Sequence, residues 1–189
     1  MHKGQNQEND MVFQKGVDIY INRHELLHPI ISGNKFRKLK YNLEEAKKLG
    51  FKKILTFGGA FSNHIVAVAG AGVAFGFETI GVIRGEELID KVQENPSLAF
   101  AQQNGMRFHF VDRTTYRDKS DKKFVESLHD LYGDFYLIPE GGTNQLAIKG
   151  CEEILTTKDK STFDFVCCAM GTGGTISGII NSANATQEI

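Results

Sequence analysis

The stretch KILTFGGAFSNHIVAVAGAGVAFG, residues 53–76, decides the fold class. Lys53 to Phe57 is apolar and β-prone enough to read as a strand, and Gly58-Gly59 breaks it. Ser62 is a good N-cap, and the Ala- and Val-rich run from Asn63 to Phe75 reads as a buried helix that packs closely through small residues and ends at Gly76. The cycle then repeats. Strand Glu78 to Ile83, helix Ser97 to Asn104, strand Arg107 to Val111, helix Lys122 to Leu131 and strand Phe135 to Ile138 follow in order. This alternation predicts successive βαβ units on a parallel sheet, an α/β fold. Pro139-Glu140-Gly141-Gly142 closes the last strand with a turn.

Outside that unit, extended segments from Val17 to Ile21 and from Leu26 to Ile31 precede a helix from Lys35 to Leu49. After it, Gln145 to Thr156 should be helical. Phe163 to Ala169, nearly all apolar, reads as a fully buried strand, with a loop over Gly171 to Gly174 and a helix from Thr175. The expected division is a small α/β domain over residues 51–139, with 1–50 and 140–189 together in a second domain.

The net charge of −1 argues against a nucleic-acid footprint, and Lys47, Lys48, Lys52 and Lys53, interleaved with Glu44 and Glu45, read as a solvated face. Cys151, Cys167 and Cys168 form no disulfide framework and lack metal-type spacing, so a reducing cytoplasm is expected. Met1 to Asp10 is polar without an apolar signal core, and no run of about 18 apolar residues exists for a membrane span. A soluble chain without membrane or nucleic-acid partners is the expectation.

Two distant segments fit one chemistry. Gly171-Thr172-Gly173-Gly174-Thr175 exposes consecutive backbone N–H groups at the positive end of the following helix, which suits a phosphate; the bland alternative is a tight βα turn. A Walker loop would need a Lys that is absent between Gly171 and Ser177, and the dinucleotide pattern G-x-G-x-x-G meets Ile176 at its third glycine. The second segment is Gly33-Asn34-Lys35-Phe36-Arg37-Lys38-Leu39. Lys35 could form an imine with an aldehyde if cationic neighbours, Arg37 and Lys38, and the helix N-terminus lower its pKa; a lysine at a helix start is otherwise simply solvated. Together the two segments suggest pyridoxal 5′-phosphate. At the first strand end, Ser62, Asn63 and His64 are candidates for substrate contact, against N-capping for Ser62 and packing for His64.

In this order, the Gly33–Leu39 segment, Ser62-Asn63-His64, Pro139-Glu140-Gly141-Gly142 and Gly171–Thr175 resemble the 1-aminocyclopropane-1-carboxylate deaminase and D-cysteine desulfhydrase family, of the tryptophan-synthase-β-like class of pyridoxal-phosphate enzymes. The resemblance runs from about Val17 to the end. It implies a three-layer parallel-sheet fold with an incomplete large domain, because such enzymes continue well beyond this length; uncovered apolar surface and self-association would follow. It further implies Lys35 as the Schiff-base lysine and catalytic base, and Asn63 on the cofactor's ring hydroxyl. Gly171, Thr172, Gly173, Gly174 and Thr175 would bind its phosphate, Ser62 would be catalytic, and Ser62, Asn63 and His64 would contact substrate. The implied activity is deamination or desulfhydration of a small amino acid, either D-cysteine or 1-aminocyclopropane-1-carboxylate, in a homodimer. A non-catalytic fragment that binds the cofactor or a phosphate is the alternative. His64 stands where the cyclopropane deaminases tend to carry Gln, which leans toward the desulfhydrases.

Overall fold

The computed structural model describes residues 4–9 and 16–189. Residues 1–3 and 10 of the polar opening lie outside these. Strand β1 (Gln5–Glu8) pairs antiparallel with β2 (Tyr20–Arg23), and α1 (Asn34–Lys48) leads into the main sheet. Then come β3 (Lys53–Gly58), α2 (Asn63–Phe75), β4 (Glu78–Arg84), α3 (Pro96–Gln103), β5 (Arg107–Val111), α4 (Arg113–Arg117), α5 (Lys122–Tyr132) and β6 (Tyr136–Ile138). Three further helices follow: α6 (Gln145–Cys151), α7 (Thr157–Thr162) and α8 (Gly174–Ser182). The main sheet has the order β5-β4-β3-β6 with every pairing parallel, as the alternation predicts.

Alternate residues of each strand build two cores. Ile54 and Ile83 face α2 and α3, where they meet Ile65, Val68 and Leu98. Leu55, Phe57, Ile80 and Val82 face the other way and pack with Tyr116 of α4 and Leu128 of α5. The result is a three-layer α/β arrangement. Leu39 and Leu43 of α1 join the first core, so α2 is covered from two sides, which explains why it is apolar nearly all round.

Three segments differ from expectation. Leu26 and Leu27 end a 3-10 turn over His24–Leu27 instead of opening an extended run to Ile31, and His28 Nδ1, which accepts from Ile30 N and Ile31 N, bends the chain after it. The helix begun at Gln145 stops at Cys151, because Thr156 starts α7 instead: its hydroxyl accepts from Asp159 N while the Asp159 carboxylate accepts from Thr156 N. Asn6 Nδ2 also donates to Asp159, 2.6 Å away, and thereby ties the N-terminal hairpin to α7. The run from Phe163 to Ala169 is not a fully buried strand. Its one ladder contact is a single parallel bridge between Phe165 and Glu188. Val166 and Cys168 pack on a small core with Cys151 and Ile179, while Phe165 is 68% exposed. The run therefore alternates like a strand covered on one face, although its composition is that of one covered on both.

Helices α1 and α6 approach so closely that a Cβ at Gly150 would stand 2.0 Å from the Arg37 carbonyl oxygen. Gly150→Ala should cost about 1–3 kcal/mol of stability, read as a lower urea midpoint; an unchanged midpoint would contradict this contact.

Candidate active site

The carbonyl oxygen of Gly141 is the meeting point. Gly141 and Gly142, just beyond β6, adopt φ values of 68° and 73°, which suit glycine and turn this carbonyl toward α1. Lys35 and Lys38 lie three residues apart on one face of α1. Both ammonium groups donate to Gly141 O, at 3.0 and 2.9 Å. Lys38 also donates to Thr143 Oγ1 at 2.8 Å and Thr172 Oγ1 at 3.1 Å, and those two hydroxyls contact each other. Lys38 is 2% exposed, yet among the described residues neither lysine has a carboxylate within ion-pair distance. Burial, and then the charge of Lys38, bring the Lys35 amine down to about 8. Burial likewise lowers Lys38.

Two helix N-termini converge on the same place. Side chains of Ser62, Asn95, Asp112, Asp121, Asn144 and Thr156 cap the other helices, but Gly33 and Gly173 precede α1 and α8, and no side chain caps either. Asn34 Nδ2 donates to Thr175 Oγ1 at 2.7 Å and joins the two starts. Between them lies a cavity of about 180 Å³ lined by Asn34, Lys35, Lys38, Gly171, Thr172 and Thr175 among others. Open N–H groups, two helix dipoles and two ammonium groups make this an anion cradle with an adjacent nucleophilic amine. A larger cavity of about 380 Å³ on another flank of α1, lined by Phe36, Leu43, Phe75 and Phe77, contains none of the candidate site residues.

The third candidate segment sits where β3 ends. The half-buried Ser62 caps α2 by accepting from Ile65 N at 3.4 Å, and Asn63 is exposed. His64 points inward. Its Nε2 lies 2.8 Å from Thr56 Oγ1, whose own proton goes to Ile138 O at 2.8 Å, so Nε2 carries the ring proton and Nδ1 is a bare acceptor without a partner among the described residues. Burial, with Lys35 and Lys38 next in weight, pushes His64 down to about 3 and keeps it neutral. A Cβ at Gly142 would lie 3.4 Å from Nδ1, so the ring supports the turn that carries Gly141.

The structure thus gathers Lys35 and the 171–175 loop into one cavity. Ser62 and Asn63 stand at the neighbouring strand end and are not among that cavity's lining residues, while His64 supports the wall from behind. Sequence reasoning missed Lys38 and Asn34 as cavity residues, and Thr143 as an acceptor for Lys38. The signal for Lys38 was its spacing of three from Lys35, which puts both on one helix face.

The profile of the pyridoxal-phosphate dependent enzyme family matches residues 10–188. A Thermotoga maritima protein provisionally named 1-aminocyclopropane-1-carboxylate deaminase is 35% identical over 172 residues, which span 87% of this chain and 53% of that protein. The bifunctional D-cysteine desulfhydrase/1-aminocyclopropane-1-carboxylate deaminase of Arabidopsis thaliana is 29% identical over 180 residues, 87% of this chain and 44% of its own. A crystal structure of an ACC deaminase homologue superposes with a TM-score of 0.78 at 26% identity, covering 96% of this chain and 56% of the other. The chain spans about half the length of the curated relatives it matches. With a parallel-sheet fold, a lysine amine beside an anion cradle, and a family profile that matches almost from end to end, this chain belongs to the pyridoxal-phosphate dependent enzyme family.

Proposed function

We propose that this chain carries the cofactor half of a deaminase or desulfhydrase of small amino acids, with D-cysteine or 1-aminocyclopropane-1-carboxylate as substrate. The observation that carries this reading is the shared cavity of Lys35 and the 171–175 loop. The residues fit the cofactor at both ends. A phosphate would meet the open N–H groups of α8, the hydroxyls of Thr172 and Thr175, and the Lys38 ammonium, which among the described residues has no carboxylate within ion-pair distance. An aldehyde would meet the Lys35 amine, whose pKa of about 8 leaves a large neutral fraction at mildly alkaline pH. When bound, the cofactor supplies an electron sink for charge that develops at the substrate α-carbon.

Lys35 would hold the cofactor and, when free, would take the α-proton of D-cysteine; 1-aminocyclopropane-1-carboxylate has no hydrogen on that carbon, so with it the lysine would have to act at a ring carbon instead. Gly141 O is the acceptor that keeps its Nζ in place. Asn63, exposed at the start of α2, would donate to the ring hydroxyl, and the turn ending at Ser62 would hold the substrate carboxylate on its N–H groups. Contacts of α1 with α6 and of Asn34 with Thr175 support grouping 1–50 with 140–189 as one domain beside the 51–139 unit. Three free cysteines are in keeping with a reducing cytoplasm, and a homodimer is the proposed assembly. The alternative reading is a fragment that binds the cofactor or a phosphate without turnover.

Borohydride reduction with added pyridoxal phosphate, followed by peptide mapping, should place the pyridoxyl group on Lys35 and lose it in Lys35→Ala. Scattered labelling of many lysines would remove the basis of this proposal. Sulfide release from D-cysteine by the labelling-competent protein then separates the two readings. The reaction also has a pH signature. The neutral amine of Lys35 increases as pH rises through about 8, so its labelling should be half-maximal there, while exposed lysines climb toward about 10.4. Lys38→Met removes a like charge and should move that midpoint upward. Because the folded pKa lies below the unfolded one, the unfolded chain binds more protons between about pH 8 and 10.4. The stability cost of Lys35 is therefore full below pH 8 and fades as pH rises through that window.

A further inference from the structure

The turn Pro139-Glu140-Gly141-Gly142 is closed by Gly142 N donating to Pro139 O at 2.8 Å. Of its four residues only Glu140 carries a side chain able to form a hydrogen bond. Gly141 and Gly142 have no side chains to hold them, so the direction of the Gly141 carbonyl has to be imposed by neighbours. Two neighbours press directly on the glycines. A Cβ on Gly141 would stand 2.8 Å from Cγ2 of Thr172, and one on Gly142 would stand 3.1 Å from Cε1 of His64.

The third neighbour acts through Glu140. Tyr116, 3% exposed, is fixed among Leu55, Phe57, Ile80 and Val82 in the second core, with the Phe57 ring edge-on at 6.4 Å. Its hydroxyl donates to Glu140 Oε1 at 2.8 Å, and Lys119, which lies over the Tyr116 ring, pairs with Oε2 at 3.2 Å. Both carboxylate oxygens are therefore engaged. Burial, and then Glu140, raise the Tyr116 hydroxyl above its ordinary range, so it keeps its proton and donates at any working pH. One residue beyond Glu140, the Gly141 carbonyl accepts from Lys35 Nζ at 3.0 Å. A continuous path thus runs from the second core through the carboxylate and the turn to the amine.

We propose that Glu140 is a positioning residue for Lys35: anchored by Tyr116 and Lys119, it sets the turn whose Gly141 carbonyl holds the Lys35 amine. This rests on the reading above that Lys35 is the reacting amine. Released from its anchor, the turn would let the carbonyl swing away and water reach Nζ. Burial is the chief cause that depresses Lys35, so its pKa should then rise. The sign separates positioning from simple electrostatics, because loss of a negative charge acting only as a charge would lower the Lys35 pKa. Tyr116→Phe breaks the anchor with every charge left in place.

The test uses the cofactor-free 189-residue protein with formaldehyde and cyanoborohydride, and methylation of Lys35 is followed by peptide mapping across pH. The wild-type midpoint should lie at about 8. Tyr116→Phe and Glu140→Ala should each raise it by at least about 0.5 pH unit, and the double variant should rise no further than Glu140→Ala, because both break one path. Glu140→Gln, whose amide oxygen still accepts from Tyr116, should stay closer to wild type than Glu140→Ala. Arg113→Met, which breaks the exposed pair with Glu87 on the same helix as Tyr116, should leave the midpoint unchanged. A wild-type midpoint in Tyr116→Phe, a fall in Glu140→Ala, additive shifts in the double variant, or an equal rise in Arg113→Met would overturn the proposal. If Glu140→Ala fails to fold, Tyr116→Phe, which keeps the buried ring, decides alone. Failure of the parent reading looks different: pyridoxal phosphate leaves Lys35 unlabelled while the methylation shift persists and still supports the positioning.

Discussion

Two ammonium groups on one carbonyl oxygen is an arrangement that costs energy unless something else answers the charge. Lys38 is almost wholly buried, and its acceptors, Gly141 O and the hydroxyls of Thr143 and Thr172, are all neutral. Neutral acceptors satisfy its protons but leave the charge uncompensated in a poorly solvated place, which is why burial depresses both lysines. An anion delivered between the starts of α1 and α8 restores the balance. The surrounding structure depends on this constraint, because both lysines stay on Gly141 O only while α1 cannot rotate.

The other face of α1 prevents that rotation. Arg37 Nη1 donates to Glu153 Oε2 at 3.1 Å, Lys40 Nζ to Oε1 at 2.6 Å and Tyr41 OH to the same oxygen at 2.5 Å. Burial alone would push the Glu153 carboxyl up; the bonds from Lys40 and Tyr41 outweigh it and hold the group low. One carboxylate thus fixes three positions of the helix, while Gly150 allows backbone contact at Arg37. Division of labour between the two faces gives the cavity its shape. Cations left without a carboxylate on one side line the cavity, and those paired on the other side hold the helix.

The fold was legible where contacts are local. The residues 53–76 declare a strand, an N-cap and a small-residue helix, and the structure places β3 and α2 there. Residues 163–169 show the limit: full apolarity signals a strand covered on both faces, but here only Val166 and Cys168 find a core, and coverage is not written in the run itself. The candidate site divides in the same way. Lys35 and the glycine loop announce themselves by local pattern. For Lys38 the spacing from Lys35 marks only the shared helix face; its burial and its acceptor come from Gly141, 103 residues away. His64 read as a substrate contact or a packing residue, and only the bond to Thr56, whose hydroxyl is committed to Ile138 O, points its ring inward.

The choice of capping residues connects folding to binding. A Ser, Thr, Asn or Asp cap contributes about 1 kcal/mol over Ala, whereas Gly at the same place gives up only a few tenths relative to these caps. Six helices take the side-chain cap; α1 and α8, whose starts meet at Asn34 and Thr175, take glycine. At little cost in stability, the chain leaves backbone N–H groups open at the two helix starts where a phosphate would answer them and the buried Lys38 together. An anion bound there completes both helices, and its affinity and the order of the first turns of α1 and α8 become parts of one equilibrium.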